Sequence, residues 1–241
     1  MEIALYGIKI DSVTDSRINL WKQFVSKEKR KRAERFRFWN DTKRCVIGEI
    51  MVRYAIHNLF NTNAHEIEFE LLEYGKPVVK GHKEWQFNLS HSDQWVICAV
   101  GMSPVGIDVE KMNIRHTGIA NCFYTPNENA RIQAFLNDRD RLIEFYKLWT
   151  LKESYMKAIG LGLRKGMDTF EFRLEGDKEI LFENDTYNRD FSFYSMILDE
   201  QYMMSLCYNS SEKVRKMKLL NEEILEEMCS TFRENMLGGK I

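Results

Sequence analysis

Two carboxylates stand two positions apart in Val105-Gly106-Ile107-Asp108-Val109-Glu110. The apolar alternation predicts a strand, in which successive side chains face opposite sides. Val105, Ile107 and Val109 then point into a core, while Gly106, Asp108 and Glu110 share the other face. The two acidic residues lie about 6.6 Å apart along the backbone, so their tips can converge on one ion. Like charges this close repel unless a cation joins them or one is protonated. Hard oxygen donors suit magnesium, which takes one or two carboxylates, waters and substrate phosphates. Gly106 would leave room beside such a site. Taken alone, the pattern more often marks a solvated strand face.

Three further groupings carry potential chemistry. In Trp149-Thr150-Leu151-Lys152-Glu153-Ser154-Tyr155-Met156-Lys157, Glu153 and Lys157 are four apart and share a helix face. Such a pair is ordinarily a surface contact worth about 0.2–0.5 kcal/mol. Tyr146 and Trp149 precede it on roughly the same face, however, and a partly buried Glu–Lys pair suits proton transfer or phosphate handling. Phe87-Asn88-Leu89-Ser90-His91-Ser92 ends a strand in a polar turn whose histidine suits a phosphate or simply its neighbours. Lys29, Arg30, Lys31 and Arg32 crowd one helix, Arg44 opens the next, and Lys76 sits in a turn before Pro77. These fit a solvated face or a phosphate pocket, where arginine supplies a fork and lysine a point charge. There is no G-x-S-x-G elbow, no G-x-x-x-x-G-K-[ST] loop and no G-x-G-x-x-G.

The elements that must position these groups follow from periodicity. A strand is predicted over Ile3–Ile10, a charged helix within Ser26–Phe38, and an amphipathic helix over Thr42–Phe60. Strands follow at Ile67–Leu72, Trp85–Ser90, Trp95–Gly101 and Val105–Lys111, separated by turn signals. A second round begins with a helix at Pro126 and a long one over Asp140–Ile159, ended by Gly160. Strands at Thr169–Leu174, Glu179–Phe182, Phe191–Ile197 and Tyr202–Cys207 precede a last helix, Leu219–Met236. The order predicts an α/β (α+β) protein of two similar halves, 1–103 and 104–241, each a small sheet on a long helix.

Composition narrows the class. The 241 residues are 44% hydrophobic, enough for a sizeable core. With 35 Lys+Arg against 36 Asp+Glu, the net charge is −1. That gives no global bias toward nucleic acid or an anionic membrane. No apolar run approaches the roughly 18 residues of a membrane helix, and MEIALYGIKI does not read as a secretory signal. Five scattered cysteines without a C-x-x-C pair predict reduced thiols in a cytoplasm.

Taken together, the blocks Phe87–Trp95 (FNLSHSDQW), Val105–Lys111 (VGIDVEK) and Trp149–Gly162 (WTLKESYMKAIGLG) resemble the 4'-phosphopantetheinyl transferases of the Sfp type. Arg44–Arg53 (RCVIGEIMVR) and Glu73–Pro77 (EYGKP) fit as well, and the resemblance runs to about Cys207. It implies a pseudo-dimer of two halves, acting as a monomer, with its site in the cleft between them. The implied reaction moves 4'-phosphopantetheine from coenzyme A to a serine of an acyl or peptidyl carrier protein, releasing 3',5'-ADP. Such enzymes serve peptide synthetases, and hence antibiotic biosynthesis.

By the same resemblance, Asp108, Glu110 and Glu153 would hold Mg2+, with Mn2+ a possible substitute. Lys29, Arg32 and Arg44 would meet the nucleotide 3'-phosphate, and Lys76, Ser90 and His91 would line the nucleotide and phosphate pocket. Glu153, Lys157 and His91 form the implied catalytic set: Glu153 or a water on the metal takes the serine proton, and Lys157 neutralises the leaving group. Glu128 matches an acidic position near the cleft. Asp93-Gln94 stand where relatives often carry glycine.

Overall fold

The computed structural model describes residues 2–114, 123–175, 179–183 and 190–238. The chain divides into two compact units, Met1–Met102 with Lys213–Ile241, and Ser103–Glu212. The first contains β1 (Glu2–Lys9), α1 (Asp15–Trp21), α2 (Lys27–Ala33), α3 (Trp39–Phe60), β2 (Phe69–Leu71), β3 (Pro77–Val79), β4 (Gln86–Ser92) and β5 (Trp95–Gly101). The second contains β6 (Gly106–Lys111), α4 (Pro126–Ala134), α5 (Asp138–Ile159), β7 (Glu171–Glu175), β8 (Glu179–Glu183), β9 (Phe191–Leu198) and β10 (Tyr202–Asn209). The chain then returns to the first unit with β11 (Lys213–Val214), β12 (Lys218–Leu219) and α6 (Glu222–Gly238).

In the first unit, β1 pairs antiparallel with β5, and β5 with β4. Alternation puts Ala4, Tyr6, Ile8, Val96, Cys98, Val100 and Phe87 on one sheet face, where they join Val46, Ile47, Ile50 and Met51 of α3 in one core. The helix ends at Asn61, which adopts a left-handed φ of 51°. The β4–β5 turn places Asp93 at φ 45°, a region that favours glycine.

The first unit differs from the predicted division at its C-terminal end. Residues 213–241 do not stay with 104–212: β11 and β12 pair parallel to β1, and Leu220, Leu225, Met228 and Cys229 enter the first core. Trp21 Nε1 donates to Glu226 Oε2 at 2.7 Å, and Arg17 pairs with Glu226 at 2.9 Å. Two-residue strands carry no readable period, and the seven-residue α1 was equally invisible.

In the second unit the sheet order is β6-β10-β9, all antiparallel, with the hairpin β7–β8 beside it. Phe145, Leu148, Leu151, Tyr155 and Met156 of α5 pack with Phe170, Phe172, Met203 and Cys207. Asn137 caps α5, accepting from Asp140 N at 2.8 Å, and Gly160 ends it at φ 76°. Each unit by itself is a mainly antiparallel sheet on one helix of 22 residues, the α+β class the pattern predicts. Cys45, Cys98, Cys207 and Cys229 are free and buried; Cys122 lies outside the described residues. No helix among the described residues is long and apolar enough to cross a membrane.

Candidate active site

Gly106 begins β6 against the C-terminal part of α5. A Cβ there would lie 1.9 Å from Ser154 O and 2.5 Å from Ala158 N. The helix backbone therefore rests directly on the strand, and the space Gly106 leaves is taken by α5 rather than by a ligand. Two residues on, the same strand face brings Asp108 to the helix, only 3% exposed. This is no solvated strand face. Lys157 Nζ donates to Asp108 Oδ1 at 2.6 Å and to Ile107 O at 3.3 Å. The expected i,i+4 surface pairing is thus replaced by a partly buried cross-element ion pair.

Opposite Asp108 in the β6–β10 register stands Ser205. Its hydroxyl lies 2.7 Å from Thr150 Oγ1 and 2.6 Å from Ser195 Oγ. Thr150 also donates to Tyr146 O at 2.9 Å. This hydroxyl chain ties α5 to β10 and β9 beneath the carboxylates. No sequence signal singles out these residues, because lone serines and threonines occur everywhere.

The charges are mutually felt. Burial pushes the Glu153 carboxyl above its usual range, and the negative charge of Asp108 raises it further, while Lys157 opposes the rise. Burial likewise raises the Tyr146 hydroxyl; Asn113 lowers it through a backbone hydrogen bond, and the nearby Glu110 raises it. Tyr146 OH accepts from Asn113 N at 3.1 Å. Glu110 and Glu153 thus both approach the face that carries Asp108. Among the described residues, no three Asp, Glu, His or Cys side chains are gathered as a ready metal cage; the ammonium of Lys157 holds Asp108 instead. The chemistry of Asp108, Glu110 and Glu153, all hard carboxylate oxygens, is of the type that magnesium takes.

Glu128, the acidic position matched in the sequence, has a structural part at the start of α4. It is 1% exposed and closes a capping box with Thr125 at the start of α4. Its Oε2 accepts from Thr125 N at 3.0 Å and its Oε1 from Phe172 N at 2.9 Å. Lys152 Nζ pairs with Glu128 Oε2 at 2.8 Å. It also donates to Met167 O at 2.7 Å and Phe170 O at 2.6 Å. Glu128 is spent on a fully buried ion pair. Nothing in the sequence marks Lys152, since a lysine reads as exposed unless its partner is known.

The basic residues lie in the first unit, at two places. Lys29 and Arg32 line a cavity of about 400 Å3 with Ser26, Phe69, Leu71 and Pro77. Glu49 fixes this wall. It accepts from Ser26 N and Ser26 Oγ, each at 2.7 Å, and is itself held by Arg53 at 2.8 Å. Lys76 occupies the β2–β3 turn beside that cavity, where Leu72 N donates to Lys76 O at 2.9 Å. Arg44 borders a separate cavity of about 490 Å3 with Phe38, Trp39 and Asp93. Its guanidinium donates to Asp93 O and Asp41 Oδ1, both at 2.6 Å. Ser90 and His91 adjoin in β4 and so face opposite sides of the sheet, Ser90 buried and His91 exposed. Arg44 thus borders a different cavity from the one that Lys29 and Arg32 line.

If Arg44 has the 3'-phosphate role that the resemblance implies, Arg44→Ala raises the apparent KM for coenzyme A about tenfold with kcat little changed. Steady-state kinetics on a folded variant checks this, and an unchanged KM removes Arg44 from cofactor binding.

Comparison with known proteins gives the family. Residues 12–103 match the family model "4'-phosphopantetheinyl transferase, N-terminal", and residues 104–207 match the "4'-phosphopantetheinyl transferase superfamily". A 4'-phosphopantetheinyl transferase of Bacillus subtilis is 36% identical over 76% of this chain and 81% of its own length. The transferase psf-1 of Bacillus pumilus is 32% identical over 91% of this chain and 95% of its own. The transferase Sfp of Bacillus subtilis (strain 168) is 34% identical over 84% of this chain and 91% of its own. With family models covering both segments and relatives matched over most of their length, the chain belongs to the 4'-phosphopantetheinyl transferase family, among its Sfp-type members.

Proposed function

We propose that this protein transfers 4'-phosphopantetheine from coenzyme A to a serine of an acyl or peptidyl carrier protein, as a magnesium-dependent monomer of the cytoplasm. The observation that carries this reading is the Asp108–Lys157 pair, with Glu153 beside it, in the segment that matches the transferase superfamily. In the reaction the serine Oγ bonds to the β-phosphorus of coenzyme A, and the bridging oxygen leaves with 3',5'-ADP. The serine proton goes to Glu153 or to a water on the metal, the second route being favoured where the ion lowers the Glu153 pKa. Lys157 supplies the positive charge that the leaving diphosphate oxygen requires. Asp108, Glu110 and Glu153 would hold the Mg2+ ion. When bound, it polarises the phosphoryl oxygens and orients the diphosphate. Lys29, Arg32, Arg44 and Lys76 provide the cationic surface for the nucleotide phosphates, with Ser90 and His91 at its edge.

The test is the intact mass of an apo carrier domain incubated with this protein, coenzyme A and magnesium. The expected result is a gain of one phosphopantetheine arm, abolished by EDTA. A gain that survives EDTA removes the metal. No gain with several unrelated carriers, despite coenzyme A binding, leaves a binder without transferase chemistry. Neither gain nor binding overturns the proposal.

A further inference from the structure

Lys152 is a costly residue to hide. It is 0% exposed, and burying an ammonium is tolerated only with complete pairing. Here the pairing is complete: Glu128, Met167 O and Phe170 O receive its three protons at 2.8, 2.7 and 2.6 Å. These partners come from the start of α4 and from the segment leading into β7, so one ammonium joins two pieces of the second unit to α5. Burial still pulls its pKa down, with Glu128 acting against that pull.

The position of Lys152 on α5 gives this expense a consequence. At about 100° per residue, Glu153 and Lys157 sit about 100° and 140° around the helix from Lys152. Ser154 and Ala158, the atoms pressed against Gly106, sit about 200° and 240° around. The chemically active stripe therefore lies between two fixed lines of contact: the buried ammonium on one flank and the glycine contact on the other. The glycine contact fixes how close α5 lies to β6. It leaves the roll of the helix to its other contacts: the Thr150–Ser205 bond, the apolar packing and the Lys152 pair. A helix pinned on both flanks cannot roll, and roll is the motion that carries Glu153 toward or away from Asp108.

We infer that Lys152, through its buried pair with Glu128, is a positioning residue that sets the roll of α5 and thereby the placement of Glu153 and Lys157 against Asp108. The inference deepens the transferase reading and rests on it for the role of Glu153.

Removing the lysine alone strands a buried carboxylate, so Lys152→Met is expected to lower Tm on the order of 10 °C. Lys152→Met/Glu128→Gln removes both charges and is expected to regain most of that loss. The deciding measurements on the folded double variant are Mn2+ affinity, by titration without coenzyme A, and kcat against KM. Expected are Mn2+ binding at least about tenfold weaker and kcat about 100-fold lower, with KM for coenzyme A unchanged. Wild-type Mn2+ affinity and kcat in the double variant would overturn the inference and leave the pair purely structural. Leu148→Ala, buried in the same helix, is the control should the double variant stay unstable. Equal losses of affinity and kcat in that folded control also overturn the inference, since they would report on stability alone. If the wild-type protein itself binds no Mn2+, the metal reading fails, and the kcat-against-KM split alone decides the inference.

Discussion

Asp108→Asn is expected to slow carrier modification by about 10^3-fold or more while moving Tm by only a few degrees. The substitution is nearly isosteric, so the packing of β6 against α5 survives. What changes is charge. Asp108 is the partner that Lys157 holds at 2.6 Å, and its negative charge is the second cause of the raised Glu153 carboxyl. Asparagine offers Lys157 only a weaker, neutral acceptor and removes one of the three carboxylates proposed to hold Mg2+. The sign of the electrostatic effect on Glu153 follows directly: losing a nearby negative charge makes its ionised form easier to reach, so its pKa falls. Carboxyl NMR titration of the metal-free protein reads this shift independently of catalysis. Intact-mass kinetics reads the loss of transfer. Near-normal turnover in a folded Asp108→Asn protein would sink the carboxylate assignment, and a Glu153 pKa that stays put would show that the two groups are not coupled.

How much of this was legible before the structure depends on the length of the pattern that carried it. The strand Trp95–Gly101 was bounded correctly because both of its faces are buried and clear turn signals flank it. The long helix over Asp138–Ile159 was found because twenty-odd residues keep one apolar stripe, and its start was misplaced by two residues because the cap is Asn137. Short elements left no period to read, so α1, β3, β11 and β12 went unseen, and with them the return of the C-terminal segment to the first unit. At the site, Asp108, Glu153 and Lys157 were legible as types and spacings. Their pairing was not, since a Glu–Lys i,i+4 step gives no hint that the lysine prefers a carboxylate on a neighbouring strand. Nor does sequence distinguish a lysine that faces solvent from Lys152, because the difference lies in partners up to 24 residues away, such as Glu128.

Gly106→Ala should be as damaging as removing a charged group, although only a methyl is added. The new Cβ would sit 1.9 Å from Ser154 O, more than an ångström inside ordinary contact, and 2.5 Å from Ala158 N. Both obstacles are helix backbone, which no rotamer change can move aside. The strand cannot retreat cheaply, since Gly106 is also paired with Cys207 in the β6–β10 ladder. The remaining response is for α5 to lift from β6, and that separates Lys157 and Glu153 from Asp108. An ångström of misplacement at reacting groups costs about 100-fold in rate, and overpacking costs roughly 1–3 kcal/mol, or about 2–12 °C in Tm for a chain of this size. The expected outcome is a folded, destabilised protein with kcat at least about 100-fold lower and weakened Mn2+ binding. Because the clash is with main-chain atoms, trimming the neighbouring side chain brings no relief: Gly106→Ala/Ser154→Gly should be no more active than Gly106→Ala. Recovery of activity in that double variant would show that side-chain crowding, not the helix backbone, sets the distance between strand and helix.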